Sequence, residues 1–347
     1  MNLYNNMHPY YCGIDLHARL LYVCIIDSEG NVCVHKEISA DPNKLATLLE
    51  PYIGNIVVGV ECMHCWYWVA DFCEDMGVDF ILGHALYMKA IHGGKAKNDR
   101  IDSFKIANLI RGGNFPLAYV YPKEMRATRD LLRRRMKIVR HGADLKAHIV
   151  NTTSQYNLPP NKVNLKNVGA REQIRTNFTD VSVQKNIDLD LNLLDCYAEQ
   201  LSKVEWYIQT QAKQHNPVHL HLLKSIHGVG KILSLTILYE IGAVTRFETV
   251  QNFASYARLV KCKAESAGKS YGTQGNKIGN AHLKWAFSEA AVHYLRGNDK
   301  AKKYLVKLQK RMSKGKALSV LAHKLGRCVY FMLKNETVFN EKQFLKS

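Results

Sequence analysis

Four carboxylates stand where short apolar segments end or where a helix begins. Asp15 closes Gly13-Ile14-Asp15, and Glu61 follows the apolar run Ile56–Val60. Asp99 and Asp102 are three apart, so one helical turn puts both on the same face. Mg2+ is a hard ion that takes carboxylate oxygens, and Mn2+ can substitute for it. Two such ions can flank a phosphodiester and stabilise its attacking and leaving oxygens. Taken singly, each acid has a plainer explanation: a turn acid, a loop start, a helix cap, a first-turn acid favoured by the dipole. All four in register with one strand order point to a metal site. Lys95, Lys97 and Arg100 beside Asp99 either bind a substrate phosphate or balance local charge. Cys62 and Cys65 form a single C-x2-C without a second ligand pair, so they read as core thiols beside Trp66 and Trp68 rather than a zinc site.

The surrounding elements must bring those acids together. Tyr11–Asp15, Leu21–Asp27 and Val32–Ile38 read as strands, the last two joined by the turn Asp27-Ser28-Glu29-Gly30-Asn31. Asp41-Pro42-Asn43 opens a helix with Leu45, Leu48 and Leu49 on one face. Strand Ile56–Val60, helix Trp66–Met76 and strand Val78–Leu82 follow, and Asn98 or Asp99 caps a helix through Ile110. Three hairpin strands followed by alternating helices and strands predict an RNase H-like α/β domain.

Beyond it the chain reads as helical. A long basic helix spans 122–156, begun by Pro122 and broken by Pro159-Pro160. Residues 161–188 are polar and poorly periodic. Leu194, Tyr197, Leu201, Val204 and Ile208 alternate three and four apart, a short coiled-coil seam that serves either a hairpin within the chain or a dimer contact. Residues 217–347 are expected to be helical, except for a Gly/Ser/Lys-rich loop from Lys261 to Asn280. Leu222–Ile226, the turn His227-Gly228-Val229-Gly230 and Ile232–Ile241 resemble a helix-hairpin-helix element that offers backbone N–H groups to a phosphate. The resulting expectation is three domains: 9–121, 122–216 and 217–347.

Charge follows the same division. Of 347 residues, Lys and Arg total 48 against 30 Asp and Glu. Residues 1–121 hold 9 basic and 13 acidic side chains, whereas residues 217–347 hold 23 and 7. So basic a region implies a polyanion, most simply nucleic acid bound with counterion release. Arg133, Arg134, Arg135, Lys231, Lys269, Lys277, Lys284, Lys302 and Lys303 are the expected phosphate contacts, the last two in the Lys/Arg-dense segment Lys300–Lys316 with Tyr304, Leu305 and Leu308 interleaved. The longest apolar run, Leu20–Ile26, is far too short to span a bilayer, so no membrane association is expected. Nine cysteines without framework spacing suit a reducing, cytoplasmic compartment.

Five blocks in order carry a resemblance: GIDLH at 13–17, VECMHCWYW at 60–68, KAKNDRIDS at 95–103, IHGVGKIL at 226–233, and FASYARLVKCKAESAGKS at 253–270 running on to GNKIGNAHLKWA. Together the sequence resembles the DEDD transposases of the insertion-sequence 110 family, which includes Piv-type DNA invertases. The resemblance implies a RuvC-like N-terminal domain, a helical middle and a C-terminal transposase domain. It places the acidic tetrad on Asp15, Glu61, Asp99 and Asp102, and a nucleophilic serine on Ser266. It further implies donor and target DNA as substrates, a structured bridge RNA as guide, dimers that assemble into tetramers, and a prokaryotic, nucleoid-associated setting. Two departures stand out. The loop reads Ser-Ala-Gly where relatives often read Ser-Gly, which leaves Ser270 as a rival nucleophile. Cys-Met-His-Cys-Trp follows Glu61 where many relatives have Ala-Thr-Gly-x-Tyr.

Without the resemblance, the Ser266 loop reads only as a small phosphate-gripping loop, since a bare serine hydroxyl needs activation. Two rivals share the remaining features. One is a RuvC-like junction nuclease that uses metal-activated water and forms no protein–DNA adduct. The other is a nucleic-acid-binding protein whose acids are relics.

Overall fold

The computed structural model describes residues 2–91, 98–158, 165, 168–211, 215–267, 269–274 and 278–346. The chain forms two compact units, Met1–Lys123 and Glu124–Ser347.

The first unit is mixed α/β. Its strands are β1 (Leu3–Tyr4), β2 (Tyr10–Leu16), β3 (Leu20–Asp27), β4 (Val32–Ser39), β5 (Ile56–Glu61), β6 (Asp79–Gly83) and β7 (Phe115–Ala118). Its helices are α1 (Pro42–Leu49), α2 (Trp66–Asp75), α3 (Ala85–Ile91) and α4 (Asp99–Arg111). The sheet order is β1-β7-β6-β5-β2-β3-β4. Strands β2, β5 and β6 are parallel neighbours, while β2-β3-β4 is an antiparallel meander. The expected strands and helices appear in the expected order. The additions are β1, β7 and α3, and β1 and β7 are too short to show an alternating pattern.

Each sheet face has its own core. Ile14, Val58, Val60 and Trp66 belong to the cluster that also takes Leu45, Leu48 and Leu49 of α1. Tyr11, Val57 and Ile81 belong to the opposite face, with Ile106, Ala107 and Ile110 of α4. Two glycines let α4 approach that face. A Cβ on Gly13 would stand 2.3 Å from the Ser103 carbonyl oxygen and 2.4 Å from the Ala107 nitrogen, and one on Gly59 would stand 2.4 Å from Ile110 Cδ1. His35 of β4 adds a polar anchor, its Nε2 lying 2.8 Å from the Arg100 carbonyl oxygen.

Gly13→Ala therefore drives a methyl into helix backbone, which cannot rotate away. The expected cost is roughly 1–3 kcal/mol in urea unfolding. Gly315→Ala, in a helix of the second unit with nothing within 4 Å, is the control. It should be neutral or stabilising by up to about 1 kcal/mol. Equal effects from the two substitutions would rule out this account of α4 docking.

The second unit is mainly helical: α5 (Lys123–Gln155), α6 (Val168–Thr176), α7 (Val181–Gln211), α8 (Pro217–Lys224), α9 (Lys231–Ile241), α10 (Val250–Tyr256), α11 (Ala281–Tyr294), α12 (Asp299–Gln309), α13 (Lys314–Lys334) and α14 (Glu341–Leu345). A two-stranded antiparallel hairpin, β8 (Cys262–Ser266) with β9 (Lys269–Gln274), interrupts it where a loop was expected. The segment expected to be poorly periodic holds α6 and the start of α7. Ile174, Phe178, Ile187 and Leu191 bury there against Ile149 of α5, so tertiary packing outweighs the weak local pattern. The Lys/Arg-dense segment is not one helix, because α12 ends at Gln309 and α13 starts at Lys314.

The coiled-coil seam closes within the chain. Arg135 Nε donates to Glu205 Oε1 at 2.8 Å, the His141 and Tyr197 rings lie 6.3 Å apart, and His148 Nδ1 meets Asp190 Oδ2 at 2.6 Å. Rising numbers on α5 meet falling numbers on α7, which defines an antiparallel helical hairpin.

Candidate active site

Parallel strands present their carboxyl ends along one edge of a sheet, where ligands of open α/β sheets collect. Asp15 and Glu61 sit one step beyond the last pair of β2 and β5, Ile14 with Val60. They share a face with Gly13 and Gly59, because side chains alternate along a strand. That is the face α4 covers, so the two glycines bring the first turn of α4 to the acids.

The start of α4 is set by a cap. The Asn98 side chain accepts the Arg100 N–H at 2.8 Å, which makes Asp99 the first helical residue and leaves Asp102 in the first turn. The helix dipole favours both acids there. Asp102 also faces Lys105, with Nζ 3.6 Å from Oδ1.

One close group results, and it contains a residue absent from the expected tetrad. Asp15, His17 and Asp99 each place a ligand atom within 4.8 Å of the others. His17 Nε2 lies 3.6 Å from Asp15 Oδ2 and 3.5 Å from Asp99 Oδ2. Glu61 and Asp102 are not part of that close group. The spacing suits a shared ion, since two ligands bound at about 2.1 Å and at right angles lie about 3 Å apart. The Asp15 side chain is 20% exposed, against 51% for His17 and 53% for Asp99, so the group is open to ions and phosphate. His17 stands two residues beyond Asp15 in Gly13-Ile14-Asp15-Leu16-His17, the spacing at which side chains along a strand share a face.

Further along the same edge, Gly83 of β6 pairs with Glu61, and His84 follows it. His84 Nδ1 is buried without a hydrogen-bond partner among the described residues, and burial pushes its pKa down. Lys95 and Lys97 lie outside the described residues. Cys62 is exposed and Cys65 partly so, which corrects the expectation that both are core thiols.

In the second unit, Ser266 ends β8 and pairs with Lys269 across the hairpin turn, while Ser270 pairs with Glu265. Ala267 at the turn has φ +49°. The side chains of Ser266 and Ser270 lie outside the described residues. The described chain resumes at residue 278, just before α11. Gly279, at φ +93°, packs where a Cβ would lie 2.7 Å from the Tyr256 carbonyl oxygen. The next residue, Asn280, donates to buried Glu240 at 2.7 Å.

Glu240 also organises one of the basic candidates, Arg133. It receives Arg133 Nε at 2.6 Å and Arg129 Nη2 at 3.0 Å while only 1% exposed. Arg133 thus pairs with buried Glu240, which needs a counter-charge, and Arg135 pairs with Glu205, whose side chain is 30% exposed. Arg134, Lys231, Lys269, Lys284, Lys302 and Lys303 are exposed. Lys302 has Asp299 at 2.9 Å. Lys277 lies outside the described residues.

Two family models match the chain. Residues 12–158 match the transposase model of the IS110 DEDD type, and residues 220–306 match the Transposase IS116/IS110/IS902 family. A comparison with curated proteins finds no significant match. An acid-bearing α/β unit followed by a basic helical one, each carrying its own match, defines a DEDD transposase, an enzyme that cuts and rejoins DNA. The chain belongs to the IS110 family of these transposases. Membership implies DNA substrates and use of a divalent metal. Among the described residues, no helix is long and apolar enough to cross a membrane.

Proposed function

We propose that the chain is a serine recombinase built on a RuvC-like metal site, moving its own insertion element between donor and target DNA under the direction of a bridge RNA. The observation that carries the metal half is the approach of Asp15 to Asp99 around His17 at the carboxyl end of the parallel strands. Asp15, Asp99 and His17 would hold the first ion, with Glu61 and Asp102 on the same strand edge and helix turn. When bound, Mg2+ or Mn2+ would neutralise charge growing on the scissile phosphate.

The chemistry then falls to Ser266. Its Oγ forms a bond to phosphorus, the P–O3′ bond breaks, and the 3′ oxygen leaves as a hydroxyl. The phosphoserine so formed is later attacked by a 3′ hydroxyl of the partner strand, which releases Ser266. Support comes from the hairpin, which puts Ser266 beside a turn with exposed Lys269 opposite. The helix-hairpin-helix-like turn between α8 and α9 and the lysines of α12 would hold the DNA and RNA backbones. Dimers and tetramers would bring two DNA partners together.

Trapping with detergent tests the serine directly. Wild-type protein on element-end DNA should yield a covalent protein–DNA adduct, and Ser266→Ala should yield none. DNA cleavage without an adduct, unaffected by Ser266→Ala, would assign the reaction to water and make the chain a junction nuclease. Sequencing co-purified RNA tests guidance: a single transcript from the element's flank is expected, and a random cellular sample would refute it.

A further inference from the structure

Away from the acids, the second unit carries a hollow of about 350 Å3 between the end of α7, α8 and the start of α9. Trp206, Gln209 and Thr210 line one wall, at the i, i+3, i+4 spacing of a single helix face. Leu220 and Leu235 form the floor, and Lys224 and Lys231 stand at the rim. This volume lies within the range of small-molecule sites.

The indole is the unusual feature. Val204 and Ile208 turn α7 toward the core, whereas Trp206 between them is 69% exposed. The helix turn beneath it is fixed, because neighbouring Glu205 is held by Arg135 at 2.8 Å. A large flat ring on a rigid support, facing a hollow, is a stacking platform.

The rim supplies charge of one sign. Lys224 is the last residue of α8 and Lys231 the first of α9, and both are exposed. Gly230 caps α9 without a side-chain hydrogen bond, so that helix end offers its N–H groups and its dipole to an anion. The turn between the helices is rigid. A Cβ on Gly228, at φ +78°, would stand 2.5 Å from the His293 carbonyl carbon.

We infer that this hollow binds one unpaired nucleobase, stacked on Trp206, with its phosphate held by Lys224, Lys231 and the start of α9. The ligand class is single-stranded nucleic acid. An aromatic platform beside two ammonium groups matches a base with its phosphate, whereas a protein partner would leave both lysines opposite apolar surface. The Gln209 amide offers a donor and an acceptor to a base edge. This inference rests on the reading that the chain handles nucleic acid.

The test uses the full chain and a 2-aminopurine oligonucleotide in three forms: single-stranded DNA, single-stranded RNA of the same sequence, and duplex DNA. Wild-type protein should quench the fluorescent base in at least one single-stranded form, and the form that responds distinguishes RNA from displaced DNA as the source. Trp206→Ala should weaken that binding roughly tenfold, whereas Trp206→Phe retains most of it. Lys231→Gln should lower the salt slope by about one. Duplex binding should be unchanged in both Trp206 variants. Unaltered single-strand binding by Trp206→Ala would overturn the inference. So would an equal loss on duplex, or a change of oligomeric mass in its place, which would make the surface a protein interface. Wild-type protein that binds none of the three forms would instead overturn the nucleic-acid reading itself.

Discussion

Asp15→Asn is expected to abolish strand cleavage while leaving the fold intact. Asparagine keeps the shape of aspartate but removes the charge that a divalent ion requires. It stands at a strand end, next to His17 and Asp99 rather than in either apolar cluster. The expected loss is at least about a thousandfold, the scale on which removal of electrostatic transition-state stabilisation is felt. Mn2+ binding followed by electron paramagnetic resonance should fall with it. His17→Ala should be milder, because two carboxylates remain in the close group. Its expected signature is a shift of preference from Mn2+ toward Mg2+, since an imidazole nitrogen favours the transition metal. Asp15→Asn protein that cleaves at the wild-type rate would remove the metal site from the mechanism.

The second large effect concerns stability. Burial pushes the Glu240 carboxyl up, but the Arg133 hydrogen bond, the charges of Arg129 and Arg133, and the Asn280 contact outweigh it and bring the pKa down to about 2. The unfolded group titrates near 4.5. A depressed folded pKa gives stability that is fully present above the unfolded value and is lost as pH falls from about 4.5 toward about 2. The contribution at neutral pH is on the order of 3 kcal/mol. Glu240→Gln takes the Glu240 charge away from Arg129, which is only 10% exposed, so a cost of about 3–5 kcal/mol is expected at pH 7. Urea unfolding of both proteins across pH should show the gap closing below pH 4 (about the ordinary carboxylate pKa). A gap that stays constant with pH would mean that packing, not charge, sets the effect.

Much of the first unit was legible because its signals are local. Asp41 before Pro42 marked a helix start, and Ile56–Val60 was apolar enough to be a central strand. The acids were legible from their places at segment ends. His17 was not, because a lone histidine carries no signal until its neighbours are fixed in space. The β8–β9 hairpin was also hidden, since Lys261–Asn280 lacks the alternating apolar residues that announce strands. Arg133 and Arg135 read as phosphate contacts on a charged helix face, and their pairing with Glu240 and Glu205 needed partners about 70 or more residues away. The seam on α7 was visible, but its partner, α5 of the same chain, was not.

Asn280 performs two tasks at once. Its carbonyl oxygen accepts the N–H groups of His282 and Leu283 at 2.9 and 3.0 Å, while its amide nitrogen donates to Glu240 at 2.7 Å. Aspartate could do the first but would set one anion against another, and serine is too short to reach both. One side chain therefore ties the start of α11 to the buried Glu240 cluster, so a substitution there would loosen both together.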